Sequence, residues 1–446
     1  MRVPFGRQSL IGVVLENTHE SALSPERLKP IGAVLDPLPI FPEDVLDLVR
    51  WASDYYHHPI GEVLASAVPK ALRAGASAVA LTELWQATPQ GRAALAAGKL
   101  GRAPAQRQLL ALLVDCATLP EAQLAERLPK WRTAATALLK HGWASHESVA
   151  APVPRMLPSA TAIPAPAPTP EQAHAVAAIG AALGGFAAFV LHGLTGSGKT
   201  EVYLRIIQQV LESGRRALVL VPEIGLTPQL VRRFAERLNT PLAVLHSALT
   251  DVERLDAWRA AASGAARIVV GTRSAVFAPV ADLGVIIVDE EHDASLKQHE
   301  GGFHYSARDL ALVRAQRAQV PVVLGSATPS LETLQNVASG RYRRLSLPRR
   351  AGQAAPPRLA VVDLRAHAVT AGLSTPVVQA IERHLAADGQ VLVFLNRRGY
   401  APTLLCTACG WVAPCRDCDA RLTVHQRSGR LRCHHCGADT PLPKCC

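Results

Sequence analysis

The sequence predicts an α/β protein of several domains, centred on a parallel sheet with helices on both faces. Three observations carry that expectation. Phe189 to Thr200 reads F-V-L-H-G-L-T-G-S-G-K-T, a buried-strand run that enters the spacing G-x-x-x-x-G-K-[ST]. Strand-like and helix-like runs then alternate: Ala217–Pro222, Pro228–Leu238, Leu242–His246, Arg267–Val270, Val285–Val288 and Val320–Leu324. Val285–Val288 is apolar throughout, as a strand covered on both faces must be, and it runs into Asp289-Glu290-Glu291-His292.

The first stretch is suited to phosphate. The oxygens of a triphosphate need several backbone N–H donors converging on them, and glycine lets the backbone approach that closely. Gly193, Gly196, Ser197 and Gly198 form the loop, Lys199 adds a point charge, and Thr200 has the hydroxyl that holds Mg²⁺. The helix starting near Thr200 directs its positive end at the same place, and Gly214 ends it. ATP and Mg²⁺ are therefore the expected cofactors. Thr169-Pro-Glu-Gln172 opens the preceding helix; Gln172 completes a capping box with Thr169, reaches the adenine, or does both. Acids at the carboxyl end of a parallel strand lie where open α/β sheets bind ligands. Asp289 is expected to hold Mg²⁺ and Glu290 to orient or deprotonate the attacking water, with Lys199 as the third catalytic group. Val322 to Pro329 (V-V-L-G-S-A-T-P) is the next buried strand, and its Ser326 and Thr328 hydroxyls can relay the state of the γ-phosphate.

The rest of the chain divides around this sheet. A formal net charge of +11 favours a polyanionic partner. The uncharged run Ala175–Leu191 is broken by Gly184-Gly185, so it reads as helix, turn and strand, and no membrane span is expected. Residues 1–73 read as a small β-rich domain, with strands at Ile11–Leu15 and Ile31–Leu35 and a helix over Pro42–Tyr55. W-A-S-D-Y-Y-H-H-P-I-G runs from Trp51 to Gly61. Tyr55-Tyr56 and His57-His58 suit a stacking or metal site, and a helix end that turns its aromatics inward is the simpler reading. Residues 74–149 hold helical runs at Ala105–Val114, Glu121–Leu128 and Trp131–His141, as in a winged-helix module or any small helical bundle. The Pro/Ala-rich stretch 150–168 is an extended linker, and the sheet domain spans 169–350. Residues 351–402 start a second lobe, with strand Arg358–Leu364, a helix from Pro376 and strand Val391–Leu395.

The final block, 403–446, is Cys-rich. Eight of nine cysteines follow Leu405, as C-T-A-C (Cys406, Cys409), C-R-D-C (Cys415, Cys418), C-H-H-C (Cys433, Cys436) and Cys445-Cys446. Paired thiolates with two residues between them form a knuckle, and two knuckles make a tetrahedral Zn²⁺ site. Zinc rather than disulfides is expected, and with it a reducing cytoplasm. Spacing alone does not say which knuckles share a metal.

In their order, G-L-T-G-S-G-K-T, D-E-E-H and G-S-A-T-P resemble motifs I, II and III of superfamily 2 helicases. V-P-E-I-G-L-T-P-Q (Val221–Gln229) and V-G-T-R-S-A-V-F-A-P (Val270–Pro279) resemble motifs Ia and Ib, which grip the DNA backbone. The Y-Y-H-H-P-I-G stretch and the Cys-rich insert after N-R-R-G-Y narrow the resemblance to the PriA family of replication-restart helicases, from Val3-Pro-Phe-Gly to Cys446. The resemblance implies a RecA-like helicase lobe, preceded by a 3′-end-binding domain and a winged-helix-like domain and followed by a partial second lobe with a zinc-binding insert. It also implies an ATP-dependent 3′-to-5′ DNA helicase that recognises stalled forks and initiates primosome assembly. The implied setting is cytoplasmic, at the nucleoid. Its implied partners are forked and single-stranded DNA, primosome proteins and single-stranded DNA-binding protein.

The same resemblance assigns further residues. Motif Ib puts Thr272 and Arg273 on DNA. Ser295–Arg308 resembles the family's aromatic-rich loop, with Phe303 and Tyr305 stacking on bases and Lys297 and Arg308 on phosphates; Leu296 stands where the family has an aromatic. Gly6 and Lys29 match positions lining the family's pocket for a 3′ end, to which a segment before Met1 would add an Asp. The family interleaves its knuckles: Cys415, Cys418, Cys433 and Cys436 hold one zinc, and Cys406 and Cys409 join a later pair whose first member would be Cys446. On this resemblance the chain is expected to be a member shortened at both ends, without motifs V and VI and the arginine that reaches the γ-phosphate. Two function classes follow, a DNA-stimulated ATPase and helicase or a nucleotide- and DNA-binding fragment without turnover. Y-Y-H-H-P-I-G disfavours a third, a zinc-ribbon restriction or remodelling translocase.

Overall fold

The computed structural model describes residues 1–446 except 37, 80, 101–102, 151–163, 300–301, 351–357, 371, 395–402, 407–408, 426–427 and 444–446. Most of the expected linker, the N-R-R-G-Y stretch and Cys445 and Cys446 therefore lie outside the described residues. The chain forms two compact units, residues 1–354 and 355–446.

The first unit opens with an antiparallel hairpin of β1 (Arg2–Phe5) and β2 (Gln8–Ile11), with Gly6 in its turn at φ +59. This differs from the strands expected at Ile11–Leu15 and Ile31–Leu35. The turn fixes the register, pairing Arg2 with Ile11, so the ladder ends where the first expected strand begins. Val13 and Leu15 pack against the core instead, and the second run contributes one bridge, Ala33 to Arg2. Then come α1 (Glu43–Tyr55), which starts on Pro42 with Glu43 and Asp44 in its first turn, α2 (Ile60–Ala67) and α3 (Lys70–Arg73).

The next block contains β3 (Leu81–Ala87), α4 (Pro89–Ala96), α5 (Pro104–Asp115), β4 (Leu119–Pro120), α6 (Glu121–Arg127), α7 (Trp131–Lys140) and β5 (Ala144–Ala150). Its helices close over their own core of Leu109, Leu113, Leu124, Trp131 and Leu138. An antiparallel sheet ordered β4-β3-β5 accompanies them, so the block is more than a helical bundle.

The remaining elements of the unit are α8 (Pro170–Gly180), β6 (Ala187–Gly193), α9 (Lys199–Glu212), β7 (Arg216–Leu220), α10 (Pro228–Leu238), β8 (Leu242–Leu245), α11 (Asp251–Ser263), β9 (Ile268–Gly271), β10 (Leu283–Val288), α12 (Ala307–Arg317), β11 (Pro321–Ser326), α13 (Leu331–Ala338) and β12 (Arg343–Leu347). Their strands form one seven-stranded parallel sheet, ordered β12-β6-β11-β10-β7-β9-β8. Alternate residues feed two cores, as the period of a strand requires. Ile286 and Val288 face one core, while Val285 and Ile287 face the other with α8, α9 and α10. The core containing Ile286 and Val288 also contains Val45, Leu48, Val49, Val63 and Leu64 of α1 and α2, so the first domain and the sheet domain share one interior.

A buried arginine reaches across that shared interior to a carboxylate. Arg314 of α12 is fully buried, donating from Nε to Asp44 Oδ2 at 2.9 Å and from its other nitrogens to the carbonyls of Val276, Ala278 and Val280. Each of the three guanidinium nitrogens has an acceptor, which is the condition for burying a charge at tolerable cost.

In the second unit, β13 (Val369–Thr370) and β14 (Leu373–Ser374) pair ahead of α14 (Thr375–Ala386). The expected strand at Arg358–Leu364 does not form, and residues 391–394 of the expected strand Val391–Leu395 form none either; Val361, Leu392 and Phe394 are exposed. An apolar run becomes a strand only where a neighbouring strand takes up its backbone groups, and the described residues offer these two runs none. The unit ends in a small antiparallel sheet of β15 (Thr423–His425), β16 (Arg430–Arg432) and β17 (Asp439–Pro441). Among the described residues, no helix is long and apolar enough to cross a membrane.

Candidate active site and metal centre

Parallel register brings the ends of the central strands into one row. Val288 lies level with Leu220 and Leu324, and Ser326 with His192, one residue before Gly193. Everything that leaves these strands emerges at the same edge, so residues far apart in sequence converge there.

From β6 emerges the phosphate loop. Gly196 and Gly198 adopt φ +79 and +85, conformations that cost a side-chain-bearing residue energy, and Gly198 caps α9. A Cβ at Gly193 would lie 2.5 Å from Ser197 Oγ and 2.9 Å from Leu347 Cβ, so this position too must be bare. Lys199 is buried, with Nζ 3.1 Å from the Gly193 carbonyl and 3.5 Å from Glu290 Oε1. Ser197 Oγ is buried with no hydrogen-bond partner. Free N–H groups at the start of a long helix, a lysine and an unsatisfied hydroxyl fit a phosphate chain, and Thr200 stands half-buried beside them.

Gln172 takes two roles at once. Its Oε1 accepts from the Thr169 N–H at 3.0 Å, completing the capping box, and its Nε2 donates to the Ser197 carbonyl at 3.0 Å. Both ends of its amide thus engage protein, and the helix is tied directly to the phosphate loop.

From β10 emerge the acids. Asp289 Oδ1 accepts a 2.9 Å hydrogen bond from the hydroxyl of Tyr203, a buried residue of α9. Burial pushes the Asp289 carboxyl up from the usual carboxylate range, and the Tyr203 hydrogen bond partly offsets that. Burial and the neighbouring Asp289 push the Tyr203 phenol well above its ordinary value, so it remains a donor. Glu290 turns the chain at φ +44, a left-handed conformation unusual outside glycine, and its side chain is part-exposed opposite Lys199. Strained backbone of this kind concentrates at functional sites. Glu291 is buried and accepts from the Ser330 N–H at 2.7 Å, Thr333 Oγ1 at 2.9 Å and Arg308 Nη1 at 3.1 Å. His292 Nδ1 lies 2.8 Å from Ser326 Oγ. The acidic turn is thereby bonded both to the end of β11 and to the start of α13.

The residues expected on DNA are disposed differently from one another. Gly6 and Lys29 are exposed in the first domain, and neither lines its apolar cavity of about 380 Å³. Lys297 is exposed, whereas Thr272 is buried. Arg273 donates to the carbonyls of Ser295 and Lys297 and so pins the loop after the acidic turn. Arg308 is drawn inward by two carboxylates, Glu291 at 3.1 Å and Asp309 at 2.9 Å, rather than presented to phosphate.

Phe303 and Tyr305 depart furthest from expectation. They are 3% and 6% exposed, so neither offers a ring face to a base. Phe303 stacks on Tyr305 at 4.9 Å and meets Tyr56 edge-on at 5.6 Å, and Tyr305 meets Phe277 at 5.4 Å. The Ser306 N–H donates to the Tyr56 hydroxyl at 3.2 Å. The Y-Y-H-H stretch of the first domain is thus the floor on which this loop packs. Residue type alone could not reveal that pairing, because the partners stand about 250 positions apart.

The metal centre is in the second unit. The Sγ atoms of Cys415, Cys418, Cys433 and Cys436 all lie within 4.8 Å of one another, with Cys415–Cys436 at 3.5 Å and Cys418–Cys433 at 3.6 Å. Tetrahedral zinc with Zn–S of about 2.3 Å needs sulfurs roughly 3.8 Å apart, so the cluster fits zinc. The Cys436 backbone N–H, joined by that of His435, draws the Cys433 thiol down to about 6. Cys406 is half-buried and Cys409 exposed, outside this cluster, and Cys446 lies beyond the described residues.

The comparisons with known proteins agree with this geometry. A DEAD/DEAH box helicase model matches residues 169–337, which hold six of the seven strands of the sheet, the phosphate loop and the acidic turn, and this defines the class. The models for the PriA 3′ DNA-binding domain and the PriA DNA helicase Cys-rich region match residues 1–69 and 415–441. The Replication restart protein PriA of Haemophilus influenzae is 42% identical across 100% of this chain and 61% of its own length. Those of Bacillus subtilis and Treponema pallidum are 45% and 34% identical, over 58% and 99% of this chain and 32% and 56% of theirs. The chain belongs to the PriA family, and it spans between about a third and three-fifths of the length of these relatives.

Two expectations follow. Phe303→Ala should behave as a core truncation, lowering stability by about 3–5 kcal/mol in urea unfolding; an unchanged midpoint with loss of DNA response would restore the base-stacking role. The chain should hold one chelator-resistant zinc, which Cys433→Ser should release; elemental analysis showing two equally resistant zincs would contradict this.

Proposed function

We propose that the chain is the nucleotide- and DNA-handling part of an ATP-dependent 3′-to-5′ DNA helicase of replication restart, acting on stalled forks and starting primosome assembly. The observation that carries this reading is the convergence of Lys199, Asp289 and Glu290 at one sheet edge, next to the glycine-rich phosphate loop. Lys199 and the loop amides would hold the β- and γ-phosphates, and Thr200 and Asp289 would hold Mg²⁺. Bound Mg²⁺-ATP supplies the transferable phosphoryl group and its charge neutralisation. Glu290 orients the water and accepts its proton. Glu291 and His292 carry changes at this edge to Ser326, Ser330 and Arg308, the route by which DNA occupancy and the nucleotide would sense each other.

Exposed Lys297, together with Gly6 and Lys29 in the first domain, is our assignment for DNA contact, with forked and single-stranded DNA as substrates. Primosome proteins and single-stranded DNA-binding protein are the proposed partners, in the cytoplasm at the nucleoid. The domain limits proposed are 1–73, 74–149, 150–168, 169–350, 351–402 and 403–446. A second zinc would use Cys406 and Cys409 with Cys446.

A second reading, binding without turnover by these 446 residues, has one observation in its favour. The described part of residues 358–394 holds a helix and a two-stranded ribbon rather than a second parallel sheet. Helicase motors transfer phosphoryl groups between two lobes, and an arginine from the second can be worth about 10³–10⁵ in rate in related hydrolases. Lys199→Ala decides the site itself. It should lose at least about tenfold in ATP affinity, because it removes a charged donor, while DNA affinity stays near wild type. Equal ATP affinity in variant and wild type would refute the phosphate-loop assignment.

A further inference from the structure

We propose that Tyr203 is a positioning residue whose hydroxyl fixes the Asp289 carboxylate in the orientation that receives Mg²⁺, an inference that rests on the nucleotide reading above. Tyr203 lies one turn into α9 from Lys199, and its side chain runs beneath the sheet edge, 2% exposed. Its hydroxyl donates to Asp289 Oδ1 at 2.9 Å. A buried phenol needs an acceptor, and a backbone carbonyl would suffice for stability alone. Here the acceptor is instead the one carboxylate placed to hold the metal.

A second observation comes from β11. Gly325 follows Val322, Val323 and Leu324 in a fully buried strand, where a glycine costs stability. A Cβ there would lie 1.6 Å from the Tyr203 hydroxyl and 3.3 Å from Asp289 Oδ1. The strand therefore gives up a side chain at the point the phenol occupies. The Gly325 carbonyl also accepts the Glu291 N–H at 3.0 Å, so the acidic turn is held from both sides of this contact. The phosphate-loop helix, the acidic turn and the hydroxyl-bearing strand all meet at the Tyr203 hydroxyl. A charge-assisted bond to one carboxylate oxygen sets the plane of the group, and outer-shell bonds of this type are typically worth 10–100-fold in metal affinity.

The test is binding of a fluorescent ADP analogue to the full chain, titrated with Mg²⁺, for wild type, Tyr203→Phe and Gly325→Ala. Tyr203→Phe should bind the Mg²⁺-free analogue as wild type does, and need roughly tenfold more Mg²⁺ for half-maximal enhancement. Gly325→Ala displaces the phenol and should shift the Mg²⁺ requirement the same way, and the double variant should be no worse than Gly325→Ala alone. A hydroxyl needed only for packing would lower the unfolding midpoint and leave the Mg²⁺ requirement unmoved, which would overturn the proposal while leaving the nucleotide site intact. Failure of the wild type to bind the analogue with Mg²⁺ would sink the nucleotide reading and this proposal together.

Discussion

The site depends first on parallel pairing. Because β6, β11, β10 and β7 run the same way in register, Gly193, Ser326, Asp289 and Val221 leave the sheet at one edge. A one-residue slip in any of them would send every side chain into the opposite core, where neighbours shaped for a different residue forbid it. Hydrophobic burial on two sides therefore sets the position of polar groups that contribute nothing to burial themselves. The phosphate loop and the acidic turn need no long-range search for each other once the strands have paired.

Burial also unites the first domain with the sheet domain. A mobile DNA-binding module would have its own core and a polar seam, yet α1 and α2 share an interior with the sheet. Buried Arg314 and half-buried Asp44 pair across it, and the Tyr56–Phe303–Tyr305 cluster closes it beside the acidic turn. Removing Asp44 would leave the buried Arg314 guanidinium without its counter-charge, a loss of about 3–5 kcal/mol. The loop after the acidic turn is held by the first domain on one side and by Arg273 and Arg308 on the other. That arrangement connects the first domain physically to the acidic turn.

What could be read in the sequence was local. The helix expected at Pro228–Leu238 is the one observed, and Thr169 with Gln172 forms the capping box its spacing announces. The glycines of the phosphate loop and the apolar run before Asp289 are equally direct signals, since each states its own backbone or burial requirement. The failures share a cause. Val391 to Phe394 looks like a strand and is not one here, because strand formation depends on a partner the run does not name. Phe303 and Tyr305 looked like bases' stacking partners, since an aromatic in a loop does not say whether it faces solvent or Tyr56. Tyr203 has no signal of its own in the helix after the phosphate loop, and its place shows only where Gly325, bare in the middle of a buried strand, leaves room for the phenol.

The central claim is that the row of strand ends is where Mg²⁺-nucleotide binds. Backbone hydrogen exchange of the full chain with and without Mg²⁺-ADP measures this directly, residue by residue. The account predicts that the amides of residues 194–200 slow most, with a smaller effect at 289–292. Nucleotide binding that left 194–200 unprotected while slowing exchange elsewhere would contradict it.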